Sequence, residues 1–128
     1  MIGVARKLVM LLSAADPANP DSWILPLSHA VAAAAMDVEV EVYFAGASVR
    51  LLAKGVAERV RADAGAGRSA YQLMCSAAEL GARFYACAGE LQANGLSESD
   101  LIAQCCGIAG SASFVARVMD DEWKSLTY

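Results

Sequence analysis

The chain has 128 residues, ten Lys and Arg against 14 Asp and Glu, a net charge of −4 and 57% hydrophobic residues. This length suits one globular domain spanning 1–128, the lack of a basic block argues against nucleic acid as a partner, and no apolar run approaches the ~20 residues of a membrane span. A cytoplasmic protein is expected, and its apolar excess over the usual ~45–50% suits a sheet covered on both faces or a subunit that hides surface in an oligomer.

The opening MIGVARKLVMLLSAADP carries a basic pair before a short apolar run, and predicts a first strand better than a secretory signal. Within it KLVMLLS, residues 7–13, has the near-continuous apolar character of a strand buried on both faces of a parallel sheet. The turn-rich AADPANPD follows; Asp21 or Ser22 is then placed to cap a helix running to about Met36, with Pro26 expected to kink its first turns. VEVEVYF, residues 38–44, alternates apolar residues with glutamates and predicts a strand with one wetter face. AGASVRLLAKG predicts a short helix stopped by Gly55, and residues 56–69 an exposed connection. A third helix is predicted over 69–80, with Leu73, Ala77 and Leu80 on one face and Gly81 at its C-terminal cap.

ARFYA predicts a third strand with Cys87 at its carboxyl end, and AGELQAN a short helix ended by Asn94-Gly95. Ser97 and Asp100 form a variant of the capping box. CCGIAG predicts a fourth strand, SASFVARVMD a last helix, and EWKSLTY an edge strand or a docking tail. Strands and helices alternating in this way predict an α/β fold: a three-layer, open, mostly parallel sheet of about five strands with helices on both faces.

In such sheets chemistry gathers beyond the carboxyl ends of the strands, and Cys87 stands there. Unpaired N–H groups of the turn that follows, from Ala88, Gly89, Glu90 and Leu91, together with the helix dipole, favour an anion and so a nucleophilic thiolate. Small residues at 88 and 89 leave the sulfur accessible. The competing view is a packed free cysteine, a common fate of that residue. Ser13, Gly89 and Glu90 are candidates to line the site.

The other thiols are Cys75, Cys105 and Cys106, with no C-x-x-C among them, and free thiols rather than disulfides are expected. Cys75 lies between Leu73 and Ala77 and suits packing. The vicinal pair Cys105–Cys106 suits a buried strand with alternate faces, or supplies a thiol that resolves an oxidised or persulfidated Cys87. His29, the single histidine, suits a packed helix position, and no metal site or cofactor is expected. GAGRSA, residues 65–70, matches G-x-G-x-x-A formally but follows a charged segment rather than a strand, so it is taken as a loop. Glycines 46, 107 and 110 suit ordinary turns that shape a cleft.

KLVMLLS, then HAVAAAAMDVEVEVYFAG, then LGARFYACAGELQANGLSESDLI together resemble the DsrE/DsrF-like sulfur-relay family with the YchN-type fold, over most of residues 6–118. The resemblance implies a small cytoplasmic protein that assembles as a homo-oligomer, a trimer or a hexamer. It further implies a sulfurtransferase-type carrier that holds sulfane sulfur as a persulfide on Cys87. TusA-like or rhodanese-like proteins would exchange that sulfur in oxidative or reductive sulfur metabolism or in tRNA thiolation. Tyr85 and Gly95 match structural positions of the family; the 105/106 pair does not belong to its pattern. Two other readings stay open: a non-catalytic scaffold subunit, and a thiol redox sensor pairing Cys87 with Cys75 or with Cys105 or Cys106.

Overall fold

A computed structural model describes residues 6–62 and 67–128. Of the GAGRSA stretch, residues 65 and 66 lie outside the described residues. Five strands, β1 (Lys7–Leu12), β2 (Glu39–Phe44), β3 (Arg83–Ala86), β4 (Cys105–Ile108) and β5 (Trp123–Thr127), form one sheet in the order β4-β3-β2-β1-β5 with every pairing parallel. Four helices connect them: α1 (Pro20–Ala35), α2 (Ala70–Glu79), α3 (Ala88–Ala93) and α4 (Ser111–Val118). The expected α/β architecture is therefore present, as an all-parallel sheet.

The strand order explains the layers. From β1 to β4 the chain steps one way across the sheet, and then β5 returns to the far side of β1. Since parallel crossovers keep one hand, reversing the direction moves the connecting helix to the opposite face. Met10, Leu12, Val40, Val42, Phe44 and Phe84 accordingly point into the larger core with Trp23, Leu27, Leu73 and Met74 of α1 and α2. Val9, Tyr43 and Trp123 point the other way, against Tyr85 and Phe114. Among the described residues only α4 covers that second face, and its outer side leaves Val115, Val118 and Met119 exposed.

Local signals set the element ends, with some departures from expectation. Helix α1 starts one residue before Asp21, at Pro20, whose missing N–H costs nothing at a first helical position. Neither Asp21 nor Ser22 caps it; Ser22 Oγ instead accepts from the Asp16 N–H at 2.8 Å and donates to the Asn19 carbonyl at 2.6 Å. Helix α2 begins with a full capping box, Ser69 Oγ accepting from the Gln72 N–H at 3.0 Å and Gln72 Oε1 from the Ser69 N–H at 2.8 Å. Leu73 and Ala77 are buried as expected, whereas Leu80 is 50% exposed because the helix ends at Glu79.

The segment after β2 is a 3-10 helix, Gly46–Leu52, ending before Gly55. Ser97 and Asp100 do bond to one another, the Asp100 carboxylate accepting from the Ser97 N–H at 2.8 Å, but they close a single 3-10 turn because Leu101 is extended.

Candidate functional site

Cys87 directly follows β3 and is the N-cap of α3, with φ −74° and ψ 124°. Its N–H donates to the Phe44 carbonyl at 3.1 Å, continuing the β2–β3 ladder, and its carbonyl accepts from the Leu91 N–H at 3.0 Å, opening the helix. Both backbone groups are thus engaged, while the half-buried side chain makes no capping hydrogen bond. Next to it, a β-carbon added at Gly89 would meet nothing within 4 Å, so the approach to the first turn of α3 is open.

Strand β4 brings a second helix start to the same edge. The Ala109 N–H donates to the Ala86 carbonyl at 3.0 Å and Ile108 pairs with Ala86, which sets Ala109 level with Cys87 and Gly110, the N-cap of α4, one residue beyond it on the neighbouring strand. First-turn amides of two helices therefore open at adjacent strand ends, an arrangement that favours anionic groups between them. Gly110 was legible only as a turn residue; its meaning depends on the β3–β4 pairing.

The remaining thiols sit elsewhere. Cys105 pairs with Phe84 at the opposite end of β3 from Cys87. Three residues of strand, about 10 Å, separate those levels, beyond the roughly 4.4–6.8 Å between α-carbons that a disulfide needs. Burial pushes the Cys105 thiol up from its ordinary value, which makes it a poorer nucleophile. Cys106 is exposed on the edge strand, and Cys75 on α2 accepts from Gln104 Nε2 at 3.5 Å, next to the amino end of β4. The vicinal pair does alternate faces, though on an edge strand rather than a buried one. Within one chain, these positions do not present a resolving thiol to Cys87.

His29 is exposed rather than packed, and its Nδ1 meets the Tyr128 hydroxyl just beyond β5. Strand β5 lies three positions from β3, roughly 14 Å across the sheet, so no Cys–His dyad forms. Ser13, two positions from β3, is exposed at the sheet's edge and donates through Oγ to the Tyr128 carbonyl at 3.0 Å. Gly89 and Glu90 stand in the first turn of α3, next to the thiol. Among the described residues no three His, Cys, Asp or Glu side chains come together as a metal site, and no helix is long and apolar enough to cross a membrane.

A polar cluster that sequence reasoning missed occupies the face under α4. Glu41, expected on a wet strand face, is 2% exposed. Arg117 grips its carboxylate with both a Nε bond to Oε1 at 3.1 Å and a Nη2 bond to Oε2 at 3.2 Å, and the Tyr43 hydroxyl donates to Oε1 at 3.1 Å. The guanidinium also lies over Trp123, 4.6 Å from the ring centroid. Beside this cluster a pocket of about 360 Å³ opens between β2, β3 and α4, lined among others by Tyr43, Tyr85, Ala109, Ser113 and Arg117. The only local signal was the second of the two glutamates in β2, two positions into the strand; its partner lies 76 residues away.

Burial, with the negative charge of Glu41 next to it, pushes the Tyr43 phenol up to about 12. The unfolded chain ionises tyrosine near 10, while the folded protein holds it neutral; this contribution is intact below about pH 10 and is lost as pH rises toward 12. Because water reaches the pocket mouth, the loss is at most ~2 kcal/mol. Chemical denaturation between pH 9 and 12 should show Tyr43→Phe with a shallower alkaline decline than the parent.

The comparisons with known proteins follow the same lines. No curated protein matches the chain in sequence. Solved structures that share its fold include YchN from E. coli, with a TM-score of 0.79 and 16% identity over 96% of this chain and 99% of that one; BT1422, a conserved protein of unknown function from Bacteroides thetaiotaomicron, with a TM-score of 0.68 and 15% identity over 95% and 94%; and MTH1491, a protein of unknown function from Methanobacterium thermoautotrophicum, with a TM-score of 0.64 and 19% identity over 97% and 99%. The DsrE/DsrF-like family model matches residues 7–127, so the chain belongs to the DsrE/DsrF-like family.

Proposed function

We propose that this protein is a sulfur carrier of the sulfurtransferase type, holding sulfane sulfur as a persulfide on Cys87. Family membership suggests a sulfur-relay role. The observation that carries the reading to one residue is the placement of Cys87: half-buried, with no side-chain capping hydrogen bond, at the carboxyl end of an inner strand, and directly before a helix. A thiolate there attacks the outer sulfur of a donor persulfide and later yields that sulfur to an acceptor thiolate by the same exchange. That chemistry needs access and anion stabilisation, not an acid–base dyad, which suits a site whose single histidine lies elsewhere.

The donors and acceptors are TusA-like or rhodanese-like proteins in the cytoplasm. The working form is a trimer or hexamer, for which the exposed Val115, Val118 and Met119 of α4 supply apolar surface. A scaffold role is the competing outcome.

Incubation with polysulfide, excess reagent removed, followed by intact mass measurement, separates the two. The carrier gains the mass of one or more sulfur atoms, the gain disappears on treatment with a thiol reductant, and Cys87→Ser abolishes it. A chain that gains no sulfur, or an adduct that persists in Cys87→Ser, overturns the assignment.

A further inference from the structure

The pocket under α4 and Cys87 belong to one face of the sheet. Along β3, Phe84 and Ala86 point into the larger core while Tyr85 points to the α4 side. Cys87 keeps an extended backbone, so the alternation of the strand carries it to the side of Tyr85, about 6.6 Å further along. Ala109, which lines the pocket, is level with Cys87, and Glu41 is paired with Arg83 at the pocket's other end. Four residues of strand, about 13 Å, thus separate the level of the Glu41–Arg117 pair from that of the thiol.

The chemistry of the lining narrows what fits. Glu41 is fully engaged by Arg117 and Tyr43 and offers a ligand little. Arg117 has five N–H donors and spends two on Glu41, and its side chain is 41% exposed. Lying over Trp123 and fixed by Glu41, the guanidinium offers its remaining N–H groups as a preorganised fork for a carboxylate. The Tyr43 and Tyr85 rings, 5.3 Å apart, and the small Ala109 make a narrow wall between this fork and the thiol. About 360 Å³ falls within the range of roughly 300–1,000 Å³ of small-molecule sites.

We propose that this pocket binds a carboxylate-bearing low-molecular-weight thiol of about tripeptide size, its carboxylate on Arg117 and its sulfur directed to Cys87. Free cysteine, whose carboxylate and sulfur are separated by three bonds, is too short to bridge the two ends. The inference rests on Cys87 as the sulfur-exchanging thiol. When the ligand arrives as a persulfide, R–S–SH, the Cys87 thiolate attacks the outer sulfur. The new bond joins Cys87 Sγ to that sulfur as the R–S–S bond breaks. The electron pair leaves with R–S⁻, which takes a proton from solvent, and the product is Cys87–S–SH. One sulfur–sulfur bond replaces another, so no external oxidant or reductant enters.

The test uses the Cys87→Ser protein, where no covalent step competes, titrated with reduced glutathione and with its diethyl ester by calorimetry. Glutathione should bind saturably in the millimolar range or tighter, and the ester, lacking free carboxylates, at least about 10-fold more weakly, as expected for loss of a hydrogen-bonded ion pair. Arg117→Lys in the same background, confirmed folded by circular dichroism, should weaken glutathione binding by a similar factor. Equal binding of acid and ester, no saturable binding at all, or full affinity in folded Arg117→Lys each overturns the pocket assignment. Polysulfide loading of Cys87 is read separately: if it succeeds while acid and ester bind alike, the carrier reading stands and this inference falls. If glutathione binds with the expected selectivity while Cys87 accepts no sulfur from any donor, the pocket holds and the transfer step falls.

Discussion

Replacing Arg117 with methionine is expected to lower stability by about 2–3 kcal/mol, although the residue lies on a short, largely exposed helix. The cost arises at Glu41. Its carboxylate is 2% exposed, and without the guanidinium it keeps only the Tyr43 hydroxyl as a partner in a site from which water is nearly excluded. Breaking a buried pair typically costs about 3–5 kcal/mol; the lower figure applies because Arg117 itself is 41% exposed, so part of its attraction is screened. Loss of the stacking contact on Trp123 adds about 0.5–1 kcal/mol.

One further measurement identifies the cause. The double substitution Glu41→Leu with Arg117→Met removes the orphaned charge and should restore stability to within about 1 kcal/mol of the parent. A deficit that persists in the double variant would mean that α4 is held by apolar packing, with the ion pair incidental.

This cluster also marks where the sequence stops being informative. The apolar run of β1, the β3 strand ending at Cys87, and the Ser69 start of α2 each rest on residues within a few positions of one another, so local rules found them. The parallel architecture followed from their alternation. Glu41 failed because alternation in VEVEVYF says which residues share a face, not whether that face is wet. A helix arriving from residues 111–118 settles it, and that arrival depends on β5 pairing on the far side of β1. The same long-range step hides the level of Ala109 with Cys87 and the pocket that Ala109 lines. Leu80 erred for a smaller reason: the helical stripe was carried one residue past the end of α2.

Among the described residues, Gly46→Ala should be the most damaging glycine substitution, by about 2–4 kcal/mol. Gly46 opens the 3-10 turn after β2 with φ +57°, a left-handed conformation that costs an L-residue about 1–2 kcal/mol. Conformation is the smaller part of the effect. A β-carbon at this position would lie 2.7 Å from the Ser13 carbonyl oxygen, which is backbone and cannot swing aside as a side chain would. That carbonyl is fixed in turn, since the Ser13 N–H and hydroxyl both bond to the Tyr128 carbonyl at 2.9 and 3.0 Å.

Gly95 provides the internal control. Its φ is +69°, but a β-carbon there meets nothing within 4 Å, so Gly95→Ala should show only the conformational cost of about 1–2 kcal/mol. Urea denaturation at constant m-value should therefore rank Gly46→Ala below Gly95→Ala in midpoint. The site should register the difference as well. The turn at Gly46 begins two residues after Phe44, whose carbonyl receives the Cys87 N–H at 3.1 Å, so a displaced turn shifts the backbone that seats the thiol. Gly46→Ala should slow sulfur uptake at Cys87 under conditions where the variant is still folded, whereas Gly95→Ala, at the far end of α3, should leave uptake close to the parent. Equal midpoints for the two variants would show that the Ser13 carbonyl yields, and that the edge of the sheet around Cys87 is softer than this close approach requires.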